Sequence, residues 1–233
     1  MRLIFRGGWL PLLLLACGGE GEKPPNLLLV TVDTLRWDHV GAYGYSRDTT
    51  PGLDALAERS IRYERAYATS PWTLPTVASI LTGLYPSRHG TETLSSRLSQ
   101  EADTLAERLS REGYLTAGVV GNRIVGRGTD LDQGFGEFEV RYGETHASPN
   151  SEALLLAAQE QLAALAGQEA PFFLWVHFMD PHYPYVPFEG ASFAEPTAGR
   201  LAGGEDISDL LVALLGQDPN FVFELVEPVD LLG

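Results

Sequence analysis

The sequence predicts an α/β fold: a mostly parallel sheet sandwiched between helices. Two observations carry this. The run Leu27 to Val32 is apolar and rich in branched residues, lies just after Pro25, and reads as a strand buried on both faces, the kind found in parallel sheets. Helical patterns then alternate with further short apolar runs, which implies βαβ units. The chain has 233 residues, 44% hydrophobic and 20% charged, enough for one packed domain of ordinary size or a large domain cut short.

The elements follow in order. In TTPGLDALAERS, Thr50 is placed as an N-cap and Pro51 in the first turn, with Leu53, Leu56 and Ala57 on one face. IRYERAYA, residues 61–68, alternates as a strand does. SPWTLPTVASILTG turns from loop to helix over about Pro75 to Leu81, and Gly83 stops it. DTLAERLSREG is an amphipathic helix with Leu105 and Leu109 four apart and Gly113 at its end. LTAGVVG is a short strand. Residues 150–167 form the longest helical pattern, capped by Asn150 or Ser151 and stopped by Gly167. PFFLWVHF is a strongly apolar strand. Beyond residue 190 the pattern weakens; ISDLLVALLG reads as a short helix and FVFELV as a strand, neither with an evident place.

Charge and cysteine content narrow the function classes. A formal net charge of −15 argues against a nucleic-acid partner, because neutralising phosphates takes clustered Lys and Arg. Cys17 is the single cysteine, so no intrachain disulfide forms. Its context is informative. Arg2 and Arg6 precede an apolar run from Trp9 to Ala16 that is too short to span a bilayer, the layout of a secretory leader. Leu14-Leu15-Ala16-Cys17 resembles a bacterial lipobox, which implies cleavage before Cys17 and lipidation of its thiol. Gly18 after the cysteine resembles lipoproteins sent on to the outer membrane. The expected organisation is a lipoprotein signal peptide over 1–16, a flexible tether over 17–25, the N-terminal part of an α/β domain over 26–190 and a divergent or truncated tail over 191–233. The expected location is outside the cytoplasm, lipid-anchored rather than spanning, on a bacterial outer membrane facing the periplasm.

Ligands of open α/β sheets bind beyond the carboxyl ends of the strands. Three polar groups fall there: Asp33 at the end of the first strand, Thr73 between an expected strand and the helix after it, and His182 after PFFLWVHF. A carboxylate that holds a divalent metal, a hydroxyl at a helix N-terminus and an imidazole together suit attack on an anionic ester. Each has a plainer role as well. Asp33 caps a turn, Thr73 caps a helix at a gain of roughly 1 kcal/mol, and His182 lies on a surface loop. His177 alternates with apolar neighbours and reads as a packed core histidine. His39, His89 and His146 show no interpretable spacing, and no two histidines are spaced as in a zinc motif.

The segments NLLLVTVDTLRWDHVGAYGY, TTPGLDALAERSIRYERAYATSPWTLPTVASILTGLYPSRHG, GFGEFE and FFLWVHFMDPHYPY, in that order, resemble the N-terminal part of the sulfatase family of the alkaline phosphatase superfamily, over about residues 25–190. The resemblance implies an alkaline phosphatase-like sheet, incomplete at its C-terminus, and hydrolysis or transfer of sulfate or phosphate esters at one divalent metal ion: calcium for sulfate, magnesium, manganese or zinc for phosphate. It places Asp33 and Thr73 at the metal, Thr73 as nucleophile, His182 as catalytic and in contact with the ester's anionic group, Asn122 near a substrate-contacting position, and Thr34 where many sulfatases have a second aspartate. The partner implied is a small-molecule or glycan sulfate or phosphate ester.

Two departures qualify this. Family sulfatases have Cys or Ser at the Thr73 position, converted to formylglycine, with an arginine four residues on. Here Pro75 is kept and Val77 replaces the arginine. Oxidised threonine is a ketone rather than an aldehyde, so formylglycine chemistry is excluded at Thr73. A threonine nucleophile resembles instead the superfamily's phosphoethanolamine and phosphoglycerol transferases, which pass through a covalent threonine intermediate. The downstream Asp-His or Asp-Asn ligand pair is also missing after residue 190; Asp218-Pro219 and Asp230-Leu231 do not match it. That leaves three expectations: a fragment of a split gene, a site completed by a second polypeptide, or an inactive sulfatase-like lipoprotein.

Overall fold

The computed structural model describes residues 23–142 and 151–182 and the backbone of 222–225. The sheet has five parallel strands: β1 (Leu27–Val32), β2 (Leu115–Val120), β3 (Glu137–Val140), β4 (Phe172–Phe178) and β5 (Val222–Leu225), in the order β3-β2-β4-β1-β5. β4 lies at the centre with every residue buried, because it pairs with β1 on one side and β2 on the other and is covered on both faces. Its continuous apolar run is what such a position requires.

Strand alternation sorts the sheet into two faces. Leu28, Val30 and Val32 of β1, with Phe172, Leu174, Val176 and Phe178 of β4, pack against α1 (Pro51–Ala57) and α5 (Ser151–Ala166). Leu29 of β1, with Phe173 and Trp175 of β4, packs against α2 (Thr73–Thr82), where Leu74, Val77, Ala78 and Leu81 are buried; Ala106 of α4 (Leu105–Arg111) joins the same core. A short helix, α3 (Pro86–His89), follows α2. The helices on both faces make the expected sandwich.

Most expected elements form, with differences that have physical causes. α2 begins two residues earlier than expected and ends at Gly83, whose φ of 70° suits a left-handed cap. α4 is set by a capping box: the Thr104 side chain accepts from Glu107 N, and Glu107 Oε2 accepts from Thr104 N. Thr50 sits at the expected N-cap of α1, but its hydroxyl donates to Asp54 and accepts from Gly41 N instead of capping. The expected strand over 61–68 is absent. Ile61, Tyr63 and Tyr67 are exposed, and the segment pairs with no strand among the described residues, so alternation alone does not make it a strand. Conversely, Glu137–Val140 inside the GFGEFE region is a strand that pattern reading passes over. FVFELV finds its place as β5, paired in parallel with β1. The expected leader with Cys17, most of the expected tether, His146, Asn150 and the expected helix over 207–216 lie outside the described residues.

Candidate active site

Asp33 is the first residue past β1, and its N–H donates to Phe178 O at 2.9 Å, which ties the end of β1 to the end of β4. Its side chain is 6% exposed, and three elements converge on the carboxylate. Thr73 Oγ1, at the start of α2, donates to Oδ2 at 3.0 Å and Oδ1 at 3.2 Å. Asn122, just past β2, donates from Nδ2 to Oδ2 at 3.1 Å, while its Oδ1 accepts from Ile124 N at 3.1 Å. His177, from β4, brings Nε2 to 3.7 Å from Oδ2, too long for a hydrogen bond. The ends of β1, β2 and β4 are neighbours in the sheet, which is why residues so distant in sequence meet here.

Burial raises the Asp33 carboxyl's pKa and is the largest single influence on it. The opposing influences of His177, the Thr73 hydroxyl and the charge of His182 together prevail, so the group lies below the ordinary carboxylate value. The carboxylate is therefore ionised near neutral pH although it is buried.

Thr73 is not the N-cap. Trp72 holds that position, extended at φ −152° and ψ 163°, and Thr73 is the first helical residue. From there its hydroxyl donates to the ionised Asp33, a charge-assisted hydrogen bond. Thr76 Oγ1 donates to Ser70 O at 2.9 Å and so holds the loop that leads into the helix. The helix N-terminus adds a partial positive charge beside the hydroxyl. Thr34, where the resemblance points to a second aspartate, is exposed and left-handed, with φ 56°. The cleft above these groups is lined by Asp33, Arg36, Ser70, Trp72, Thr73 and His177. His182 follows on the loop after β4, with its N–H donating to Met179 O at 2.9 Å.

The structure thus brings Asp33, Thr73 and Asn122 together, with His182 on the loop that follows β4. Asn122 contacts the carboxylate. His177, read from the sequence as a core residue, is buried and also faces the site. The signal that finds it is period two on paired strands: Trp175 and His177 share the face of Thr31 and Asp33, and Thr31 pairs with His177.

Among the described residues no group of three or more His, Cys, Asp or Glu is arranged to hold a metal. Asp33 and Thr73 offer one carboxylate and one hydroxyl, already bonded to each other, whereas calcium takes about six to eight oxygens. These residues do not make a divalent-ion site by themselves. What the arrangement does unaided is hold a hydroxyl against an ionised acceptor at a helix N-terminus.

The family model described as Sulfatase matches residues 25–202. Human arylsulfatase A is 31% identical over 255 residues, covering 87% of this chain and 50% of that protein. Human N-sulphoglucosamine sulphohydrolase is 28% identical, covering 94% of this chain and 42% of that protein. The chain spans half the length of the curated relatives it matches, or less. Among solved structures, Ps i-CgsB in complex with k-i-k-neocarrahexaose superposes with a TM-score of 0.71 at 21% identity, covering 84% of this chain and 56% of that one. The phosphonate monoester hydrolase of Agrobacterium radiobacter gives 0.63 at 21%, covering 90% and 53%. At such identities these two likenesses concern the fold.

Proposed function

The chain belongs to the sulfatase family, and on that premise we propose that it takes part in the hydrolysis of sulfate esters, with the anionic ester of a small molecule or glycan as substrate. The observation that carries this reading is the Thr73 hydroxyl at the N-terminus of α2, hydrogen-bonded to both oxygens of the buried, ionised Asp33. Names such as N-sulphoglucosamine sulphohydrolase and N-acetylgalactosamine-6-O-sulfatase among the relatives support a sulfated sugar as the class of substrate.

In this reading Thr73 Oγ1 attacks the sulfur or phosphorus and its proton passes to Asp33. The bond to the leaving oxygen breaks as the bond to Oγ1 forms, and His182 gives the leaving oxygen a proton. Water then cleaves the threonine ester, returning the hydroxyl. The dipole of α2 stabilises the added negative charge. A divalent ion, expected for the family, needs ligands beyond those described here, from elsewhere in the chain or from a second polypeptide. A second reading, transfer of a phosphoryl-linked group, is favoured by the threonine itself, which forms an ester and cannot form an aldehyde.

The test is a panel of aryl and sugar sulfates and phosphates, run with added calcium, magnesium, manganese or zinc, comparing the wild type with Thr73→Val and Asp33→Asn. Turnover that falls at least a thousandfold in Thr73→Val supports the nucleophile; equal turnover removes Thr73 from the reaction. The ratio of sulfate to phosphate turnover decides between the two readings. Lipid anchoring outside the cytoplasm belongs to the same proposal and is supported by the Leu14–Cys17 pattern. Labelled fatty acid incorporated into the wild type and lost in Cys17→Ser is the expected result.

A further inference from the structure

The segment between α1 and α2 has the chemistry of a strand and no strand to pair with. Ile61, Tyr63 and Tyr67 are 86%, 58% and 67% exposed. Among the described residues, no backbone N–H from Ile61 to Ala68 is hydrogen-bonded. Arg62 and Glu64 lie with their charged groups 4.0 Å apart, as two residues on one face of a strand do. The segment has one bend, at Glu64. Exposed apolar side chains beside an open row of backbone donors are a template for another strand.

Successive residues of a strand aim their backbone groups at opposite edges. The Tyr63 carbonyl accepts from the Tyr43 hydroxyl at 3.0 Å, so its edge faces this chain's own fold. In a strand, the backbone groups of Arg62 and Glu64 then lie on the outer edge.

We propose that a second copy of this chain pairs with that edge, antiparallel, about a two-fold axis at Tyr63, and that pairing straightens the bend at Glu64. Charge complementarity selects both the copy and the register. A two-fold antiparallel pair sets one residue opposite its own equivalent. With Tyr63 there, Arg62 of each copy faces Glu64 of the other, giving two opposite-charge pairs on one face. Arg62 and Glu64 exchange the backbone bonds, on the edge that the Tyr43 contact leaves outward. The two tyrosines meet on the other face, at the close spacing of a pair that exchanges no backbone bonds. With Glu64 or Arg65 at the axis, like charges meet instead. The inference is independent of any reaction at Thr73.

The experiment is sedimentation velocity on the full chain over a range of concentrations. The buffer holds about 0.15 M salt, which screens the −15 charge of each copy beyond about 8 Å. The wild type is expected to dimerise. Arg62→Glu and Glu64→Arg each set like charges opposite and are expected to weaken the dimer roughly tenfold. Mixed in equal amounts, the two variants are expected to dimerise as the wild type does, because each meets the opposite charge on the other. An ion pair within one chain would not recover on mixing. Residue-resolved deuterium exchange on the wild type carries the test where Arg62→Glu does not fold. On dimerisation the amides of Arg62 and Glu64 are expected to slow roughly tenfold, and that of Tyr63, on the other edge, to change little. A monomeric wild type gives the edge to a different polypeptide and overturns the proposal. So do single variants that dimerise as the wild type does, a mixture of folded variants that stays monomeric, or a dimer in which the Arg62 and Glu64 amides exchange no more slowly.

Discussion

Asp33 shows how a buried charge is made tolerable by its neighbours. Asn122 does two things at once, donating to the carboxylate and accepting from Ile124 N, so its removal leaves both a buried acceptor and a helix-start N–H short of a partner. Asn122→Ala is expected to cost about 2 kcal/mol, read as a lower urea midpoint; a change under about 0.5 kcal/mol would show that water replaces the amide without loss. Thr34 is the opposite case. A β-branched residue at φ 56° is strained, and Thr34 is exposed. Thr34→Asn is expected to stabilise the chain by about 1 kcal/mol, since asparagine tolerates the left-handed region better. Thermal melts check it, and a lower melting temperature would mean that the threonine has a stabilising role at this turn. The positions of Asp33 and His182 were legible because each follows an apolar strand run, and that of Thr73 because SPWTLP turns from loop to helix, although the strand expected before it does not form. His177 was not. What makes it a site residue is its pairing with Thr31, and that register is absent from any local pattern.

At the level of elements, α2 is held from below by a buried histidine. His89 Nδ1 accepts from Thr91 N at 3.0 Å, and Nε2 lies 3.1 Å from Ser79 Oγ in the middle of the helix. Burial lowers the His89 pKa below its ordinary 6.5, and contact with Pro75 and the charge of Glu92 offset only part of that. A histidine with a lowered folded pKa is protonated first in the unfolded chain. Its stabilising contribution is therefore complete above pH 6.5 and declines as pH falls below 6.5 toward the folded value. Urea midpoints between pH 7.5 and 5 should fall more steeply in the wild type than in His89→Gln, and parallel curves would remove His89 as the cause. In β2, Gly118 has no space for a side chain: a Cβ would meet the Phe138 ring at 2.7 Å. Gly118→Ala is expected to cost about 1–3 kcal/mol in denaturant, as overpacking does; a neutral result would mean that the ring moves freely. β1, β2 and β4 were readable because their residues are largely apolar. β3 was not, because its four residues include Glu137 and Glu139 at the sheet edge and carry little apolar signal.

On the scale of the whole molecule, stability is expected to be graded outward from β4. Its amides are buried between β1 and β2 and should exchange with deuterium most slowly, with those of β3 at the sheet edge faster by at least tenfold. Equal protection in both strands would show that the sheet opens as one unit. The gathering of the site from three strand ends also sets when it can exist. Along the chain, Asp33 is 40 residues from Thr73 and 89 from Asn122, and Thr31 is 146 from His177. Contacts so far apart close late, after the loops between them have been drawn in. On a ribosome, Asp33 and Thr73 emerge well before β4, and with β4 missing the carboxylate lacks both the His177 contact and the tie to Phe178. A nascent chain that has not yet released residue 178 therefore carries Asp33 without the contacts that hold it, and the cluster around that carboxylate is completed only when synthesis has moved past that strand.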